Sequence, residues 1–273
     1  MKNLNGKVAV ITGAGSGIGR ALALQLAAEG CELAISDVNA AGLEQTRAQI
    51  NAIAKVTVRT YVLDVADQAA VETHAKAVLD DFGRVNLLIN NAGVALSGKI
   101  RDIDMQDFHW LMNINFWGVV HGTQAFLPAL IASGDAHIVN LSSIFGMISV
   151  PKQATYNAAK FAVRGYTEAL RQEMRMDNLA VQVSCVHPGG INTDIARNAR
   201  VAACENKEKT AALFSKLART SPEQAAAIIV RGIKTNKPRI MVGIDAHLVH
   251  FLYRLLGVRY QYLTRALAAK MGY

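Results

Sequence analysis

The run Val8-Ala9-Val10-Ile11 passes directly into Thr12-Gly13-Ala14-Gly15-Ser16-Gly17-Ile18-Gly19, and a helical pattern from Ile18 to Glu29 begins at once. Four apolar residues bounded by a glycine cluster read as a short strand buried on both faces. Glycines let the turn take positive φ and let backbone approach a ligand. The free N–H groups and positive dipole end of the helix then favour a pyrophosphate, although such a turn can also serve only to reverse the chain. The spacing is T-G-x-x-x-G-x-G. Position 18 is Ile, so G-x-G-x-x-G does not fit, and no Lys-Ser/Thr follows as a nucleotide triphosphatase loop requires.

Outward from this loop, short apolar runs alternate with helical patterns to about residue 243, the signature of repeated βα units around a parallel sheet. Strands are expected at Val8 to Ile11, Glu32 to Ser36, Val56 to Val62, Leu87 to Ile89, His137 to Leu141, Val181 to Val186 and Arg239 to Val242. Helices are expected at Ala41 to Asn51, Gln68 to Asp81, Met105 to Ala132, Ala154 to Met176 and Glu223 to Lys234, the last begun by a Ser221 cap and Pro222. No repeat, low-complexity tract or linker interrupts the pattern, and one α/β domain is expected.

The chain has 273 residues, 51% hydrophobic and 18% charged, which excludes disorder as its dominant state. Its net charge of +8 is uneven: residues 1–199 carry 16 Lys+Arg against 17 Asp+Glu, and residues 200–273 carry 13 against 4. Cys31, Cys185 and Cys204 are odd in number and widely spaced, so they suggest neither a disulfide framework nor a zinc site, and a reducing, cytoplasmic setting fits. No apolar stretch matches a signal-peptide core or a membrane span.

Asp37 closes the second strand 18 residues beyond Gly19, where a dinucleotide fold places the acid that binds the adenosine ribose hydroxyls. A carboxylate there repels a 2′-phosphate, and Ser16, Val38 and Asn39 offer no positive charge, so NAD is expected over NADP. Asp64-Val65 ends the third strand, where an adenine amino group could be read. Asn90-Asn91-Ala92-Gly93 ends the fourth, with small residues against which riboses can lie. Thirteen residues beyond Ser143 comes Tyr156-Asn157-Ala158-Ala159-Lys160. Tyr156 and Lys160 are i and i+4 on a helix and share a face. A nearby ammonium favours the phenolate, bringing the tyrosine's proton exchange nearer neutral pH.

With these elements in order, residues 5–245 resemble the short-chain dehydrogenase/reductase family. Asn115 in Asn113-Ile114-Asn115 and Pro188-Gly189 add to the match. The resemblance implies a single-domain, Rossmann-like, doubly wound parallel sheet of about seven strands, here residues 1–244. It implies an NAD(H)-dependent oxidoreductase that interconverts an alcohol and its carbonyl. Tyr156 would be the general acid/base, Ser143 would hydrogen-bond the substrate oxygen, and Lys160 would grip the nicotinamide ribose and depress the Tyr156 pKa. Asn115 would hold a water in a proton relay; read from its helix pattern alone, it could equally be a core amide. Gly13, Gly15, Ser16, Gly17, Ile18, Gly19, Asp37, Asp64, Val65, Asn91, Ala92 and Gly93 would bind the cofactor with Tyr156 and Lys160, and Pro188, Gly189, Ile191 and Thr193 would flank the nicotinamide. Family members usually form homodimers or homotetramers. A catalytically inactive dinucleotide sensor or scaffold on the same fold is the alternative, against which the intact Ser143, Tyr156 and Lys160 argue.

Other chemistries find no support: the chain lacks a G-x-S-x-G elbow, and its histidines have no metal-ligand spacing. His187 reads as packing at its strand end. Residues 192–220 read as a substrate lid. Residues 245–273 depart from the common family pattern as an amphipathic, basic helical extension, with Leu248, Phe251, Leu252, Leu255 and Leu256 at helical spacing. Three roles are open for it: packing on this or a sister subunit, shallow insertion into an anionic membrane surface, or lining the way to a lipophilic substrate. Its basic residues interleave with apolar ones instead of forming a continuous patch, so nucleic acid is not expected.

Overall fold

A computed structural model describes residues 1–209, 212, 214 and 218–270. Seven parallel strands form one sheet in the order β3-β2-β1-β4-β6-β7-β9. They are β1 (Val8–Thr12), β2 (Glu32–Asp37), β3 (Val58–Val62), β4 (Leu87–Asn90), β6 (Ala136–Leu141), β7 (Val181–Pro188) and β9 (Arg239–Val242). A separate parallel pair joins β5 (Leu96–Ser97) to β8 (Arg200–Val201).

Alternate residues of each strand feed opposite cores. Ala9 and Ile11 of β1 join the side covered by α1 (Gly17–Ala28), α2 (Ala40–Ile53) and α7 (Pro222–Lys234), among Leu22, Leu43 and Ile229. Val10 points the other way, to a core with Val78, Phe126, Leu130 and Leu170 from α3 (Gln68–Phe82), α5 (Gly118–Ala132) and α6 (Ala154–Met176). Burial on both faces explains why these strands read as continuous apolar runs. The expected cap of α7 forms as a capping box, with Gln224 N–H donating to Ser221 Oγ (3.2 Å) and Ser221 N–H to Gln224 Oε1 (3.0 Å).

The helix expected over Met105 to Ala132 is interrupted. α4 (Met105–Met112) gives way to a π-helical turn at Asn113–Trp117 before α5 begins. The tail folds into two helices, α8 (Ile244–Leu256) and α9 (Tyr260–Lys270), joined through Gly257 at φ +52. Among the described residues, no helix is long and apolar enough to cross a membrane.

From β1 the chain winds outward through β2 to β3, then returns to place β4 on the other side of β1. That reversal leaves a crevice at the carboxyl ends of β1 and β4, where open α/β sheets bind ligands.

Candidate functional site

A cleft of about 750 Å³ opens at that reversal. It gathers nearly all the residues singled out from the sequence. Gly13, Ser16, Gly17, Ile18, Asp37, Asp64, Val65, Asn91, Ala92, Gly93, Ser143, Tyr156, Lys160, Pro188, Gly189, Ile191 and Thr193 all line it. Gly15, Gly19 and Asn115 do not line it but adjoin residues that do, namely Asp37, Gly13 and Val94.

The glycine loop is held too tightly for other residues. Gly13 sits at φ +68, and a Cβ there would lie 2.8 Å from Ala92 Cα. A Cβ on Gly19 would lie 2.0 Å from the Gly13 carbonyl oxygen, so α1 can begin this close to β1 only with glycine. Thr12 Oγ1 accepts the N–H groups of Asn91 (3.0 Å) and Ala92 (3.1 Å), tying the loop to the end of β4. Asn91 Nδ2 donates back to the carbonyls of Thr12 (2.9 Å) and Gly13 (3.1 Å). Ser16 caps α1 with extended backbone but makes no side-chain cap bond, and no acid lies in the first turn. The orphan N–H groups of α1 are thus left for an anion. Asp37 reaches across to accept the Gly15 N–H (2.9 Å). An uncapped helix end beside a glycine cradle, with a carboxylate at the neighbouring strand end, suits a dinucleotide.

The chemical groups lie at the ends of β6 and α6. Ser142 Oγ donates to the Lys160 carbonyl (2.8 Å), and Lys160 Nζ donates to the Leu141 carbonyl (2.9 Å). The same ammonium stands 5.6 Å from the centre of the Tyr156 ring. Asn157 supports the segment between them, donating to the carbonyls of Phe145 (3.0 Å) and Ile148 (3.1 Å). His187 is buried, as expected at its strand end, and its Nδ1–H faces the Ser143 carbonyl at 2.9 Å, a bond that orients the serine from behind.

Burial pushes the Tyr156 phenol up to about 12, opposed by its hydrogen bond to the Ser143 hydroxyl. Burial also brings the Lys160 ammonium down to about 8. This departs from the expectation that Lys160 depresses Tyr156. In the protein alone, burial governs the Tyr156 phenol, and the group that opposes it is the Ser143 hydroxyl.

Asn115 is fully buried and spends its amide on one residue. Its Nδ2 donates to the Val94 carbonyl (2.9 Å), and its Oδ1 accepts the Val94 N–H (2.8 Å). These two bonds fix the loop after Gly93.

The described part of residues 192–220 runs along the cleft, with Asp194, Ile195, Ala196, Asn198, Ala199 and Phe214 in its wall. Expected lid positions 210, 211, 213 and 215–217 lie outside the described residues, as do 271–273 of the extension. Two ion pairs tie this segment down: Glu205 to Lys152 (2.8 Å) and Arg200 to Asp107 (2.7 Å). The Arg200 guanidinium also stacks 3.8 Å from the centre of the Trp110 ring.

Val249, Leu252 and Tyr253 of α8, with Tyr260, Leu263, Thr264, Leu267 and Ala268 of α9, form the far wall. The amphipathic stripe is divided between two sides, and its Leu252 belongs to the cleft wall. Leu248, Phe251 and Leu255 face outward and are exposed, while the opposite side of α8 faces the cleft. The sequence reading overlooked Asp245 and Tyr260. Asp245 Oδ2 accepts the Gly190 N–H (2.6 Å), and Tyr260 Oη accepts the Ser149 N–H (2.9 Å). In the sequence, the one signal available was the place of Asp245 at the start of the helical extension.

An open parallel sheet with a ligand cleft at its switch point and a Ser–Tyr–Lys cluster beside the glycine loop defines a class of dinucleotide-dependent oxidoreductases. Residues 7–204 match the family model for short chain dehydrogenases, and the chain belongs to the short-chain dehydrogenase/reductase family. It is 52% identical over 271 residues to SadH of Mycobacterium tuberculosis, assigned by name as an oxidoreductase, covering 99% of this chain and 98% of that one. Among solved structures it is similar to a family member from Burkholderia phymatum in complex with NAD, with a TM-score of 0.84, 32% identity and coverage of 93% and 96% of the two chains. It is also similar to an alcohol dehydrogenase from Thermococcus sibiricus complexed with 5-hydroxy-NADP, with a TM-score of 0.74, 27% identity and coverage of 86% and 95%.

Proposed function

We propose that this protein interconverts an alcohol and its carbonyl with NAD(H), with Tyr156 as general acid and base. The observation that carries this is the convergence of Ser143, Tyr156 and Lys160 at one end of the cleft that begins at the glycine loop. When bound, the nicotinamide ring supplies or takes the hydride. In reduction, Ser143 donates a hydrogen bond to the carbonyl oxygen, and Tyr156 gives that oxygen its proton as the carbon gains the hydride. In oxidation, the tyrosinate takes the hydroxyl proton. Lys160, held by the Leu141 carbonyl, orients a ribose and keeps positive charge beside the phenol. Replacement Tyr156→Phe tests the reading: turnover should fall at least about a thousandfold, with NADH affinity by fluorescence titration within about twofold of the parent. Turnover retained by that variant would overturn the mechanism.

The preference for NAD rests on Asp37, whose carboxylate stands against the Gly15 amide where ribose hydroxyls would bind. Arg20, the cation following the loop, is turned beneath it, bonded to Thr46 Oγ1 (3.0 Å), Gln45 Oε1 (3.2 Å) and the Gly15 carbonyl. Parallel assays with NAD and NADP test this, and a higher kcat/KM with NADP would overturn it.

The outward stripe of α8 supports peripheral contact with an anionic lipid surface. Leu248, Phe251 and Leu255 are each more than half exposed, and Arg254, Arg259 and Arg265 belong to the same hairpin. Cosedimentation with vesicles containing phosphatidylglycerol should be lost in Phe251→Glu/Leu255→Glu. Vesicle binding unchanged in that variant, or a change only in its oligomeric state, would overturn this reading.

A further inference from the structure

The α8–α9 hairpin turns apolar side chains both outward and into the cleft. Leu252, Leu263 and Leu267 form one wall of the cleft, and Phe145, Ile148 and Val150 of the segment between Ser143 and Tyr156 line the same cleft. The hairpin is fixed at two points. Its first turn is bonded to the backbone after β7 through Asp245 and Gly190 N–H, and α9 is bonded to the segment after Ser143 through Tyr260 and Ser149 N–H. An edge-to-face contact between Tyr253 and Tyr260, centroids 5.8 Å apart, joins the two helices.

The charged residues of the cleft wall are all accounted for. Among the described residues these are Asp37, Asp64, Lys160, Asp194 and Asp245. Asp37 and Asp64 lie at the strand ends of the glycine-loop half. Lys160 is bonded to the Leu141 carbonyl, Asp194 pairs with Arg197, and Asp245 holds Gly190. A carboxylate or phosphate on the substrate would meet four acids and one buried lysine already assigned to the chemistry. A hydrocarbon body would meet leucine, isoleucine, valine and aromatic carbon.

We propose that the α8–α9 hairpin receives the hydrocarbon body of the substrate, so that the preferred substrates are uncharged alcohols or ketones bearing an extended apolar chain. This rests on the alcohol–carbonyl reading above, and it makes Leu252, Leu263 and Leu267 specificity-determining residues. Each methylene buried contributes about 0.8 kcal/mol, or about fourfold in binding.

The test is a series of methyl ketones of four, six, eight and ten carbons, assayed with NADH, alongside their displacement of Nile red from the protein. For the parent, kcat/KM should rise about fourfold per methylene until the chain exceeds the wall, and displacement should strengthen in parallel. In Leu263→Asp and Leu252→Asp the dependence on length should flatten, with folding checked by near-ultraviolet circular dichroism. A parent enzyme equally active on all four ketones, with displacement equally insensitive to length, would overturn the inference and leave the oxidoreductase reading standing. Displacement that strengthens with length while no ketone or alcohol is turned over would overturn that reading and support the apolar wall.

Discussion

Asp245 Oδ2 accepts a 2.6 Å hydrogen bond from the backbone N–H of Gly190. One carboxylate in the first turn of α8 therefore holds the turn after β7, 55 residues earlier, against the helix that walls the cleft. The fit is close: a Cβ on Gly189 would lie 2.1 Å from the same oxygen.

Replacing this acid should loosen the turn that carries Pro188 and Gly189. Asp245→Ala is expected to raise the KM for NADH about tenfold, the effect of losing about 1.4 kcal/mol in a hydrogen bond to a charged group. Asp245→Asn keeps an acceptor and should recover most of that loss. Steady-state kinetics with NADH varied measures both, and equal values for Asp245→Ala and the parent would refute the role.

Asn115 offers a second test, because it satisfies both the backbone N–H and the carbonyl of Val94 from a buried position. Asn115→Ala leaves those groups unpaired, at about 1–3 kcal/mol each. The denaturation midpoint should fall by an amount that corresponds to about 2–6 kcal/mol, and activity should fall with it as the loop after Gly93 loosens. Urea titration followed by circular dichroism measures the first effect.

Three buried histidines make the fold sensitive to acid. Burial holds His74 down to about 4, His137 to about 3 and His187 to about 4, against an ordinary 6.5. Between those values and 6.5 the unfolded chain binds protons that the folded chain refuses, so stability is fully present above pH 6.5 and falls as pH drops below it. His74 lies edge-on to Tyr61 and Phe126, with neither ring nitrogen hydrogen-bonded. His74→Phe should therefore raise the melting temperature more at pH 5 than at pH 8, as read by calorimetry at the two pH values.

The site was legible in the sequence where its groups are local. The glycine loop and the Tyr156–Lys160 pair are fixed by spacings of a few residues, and one turn of helix determines their geometry. The tail was legible as helix but not in orientation. α8 carries Leu248, Phe251 and Leu255 on one side and Ala246, Val249, Leu252 and Tyr253 on the other, so an apolar period could not say which side is covered. The π-turn at Asn113–Trp117 was hidden because apolar residues continue through it. The partners of Asp245 and Tyr260 lie 55 and 111 residues away, and no local pattern encodes them.

The acid–base pair makes the most direct prediction. Burial raises Tyr156 to about 12 and lowers Lys160 to about 8, so in the protein alone the ammonium gives up its proton before the phenol does. Tyr156 then stays a proton donor through neutral pH, which suits ketone reduction. Alcohol oxidation needs the phenolate, and its kcat/KM should climb about tenfold per pH unit below the inflection. Because Lys160 has lost its proton by the pH at which the phenol ionises, Lys160→Met should leave that inflection in place, and a clear upward shift would show that the lysine keeps its charge beside the phenol. The ultraviolet difference spectrum between the cofactor-free parent and Tyr156→Phe checks the starting point: no phenolate signal from Tyr156 should appear below about pH 10.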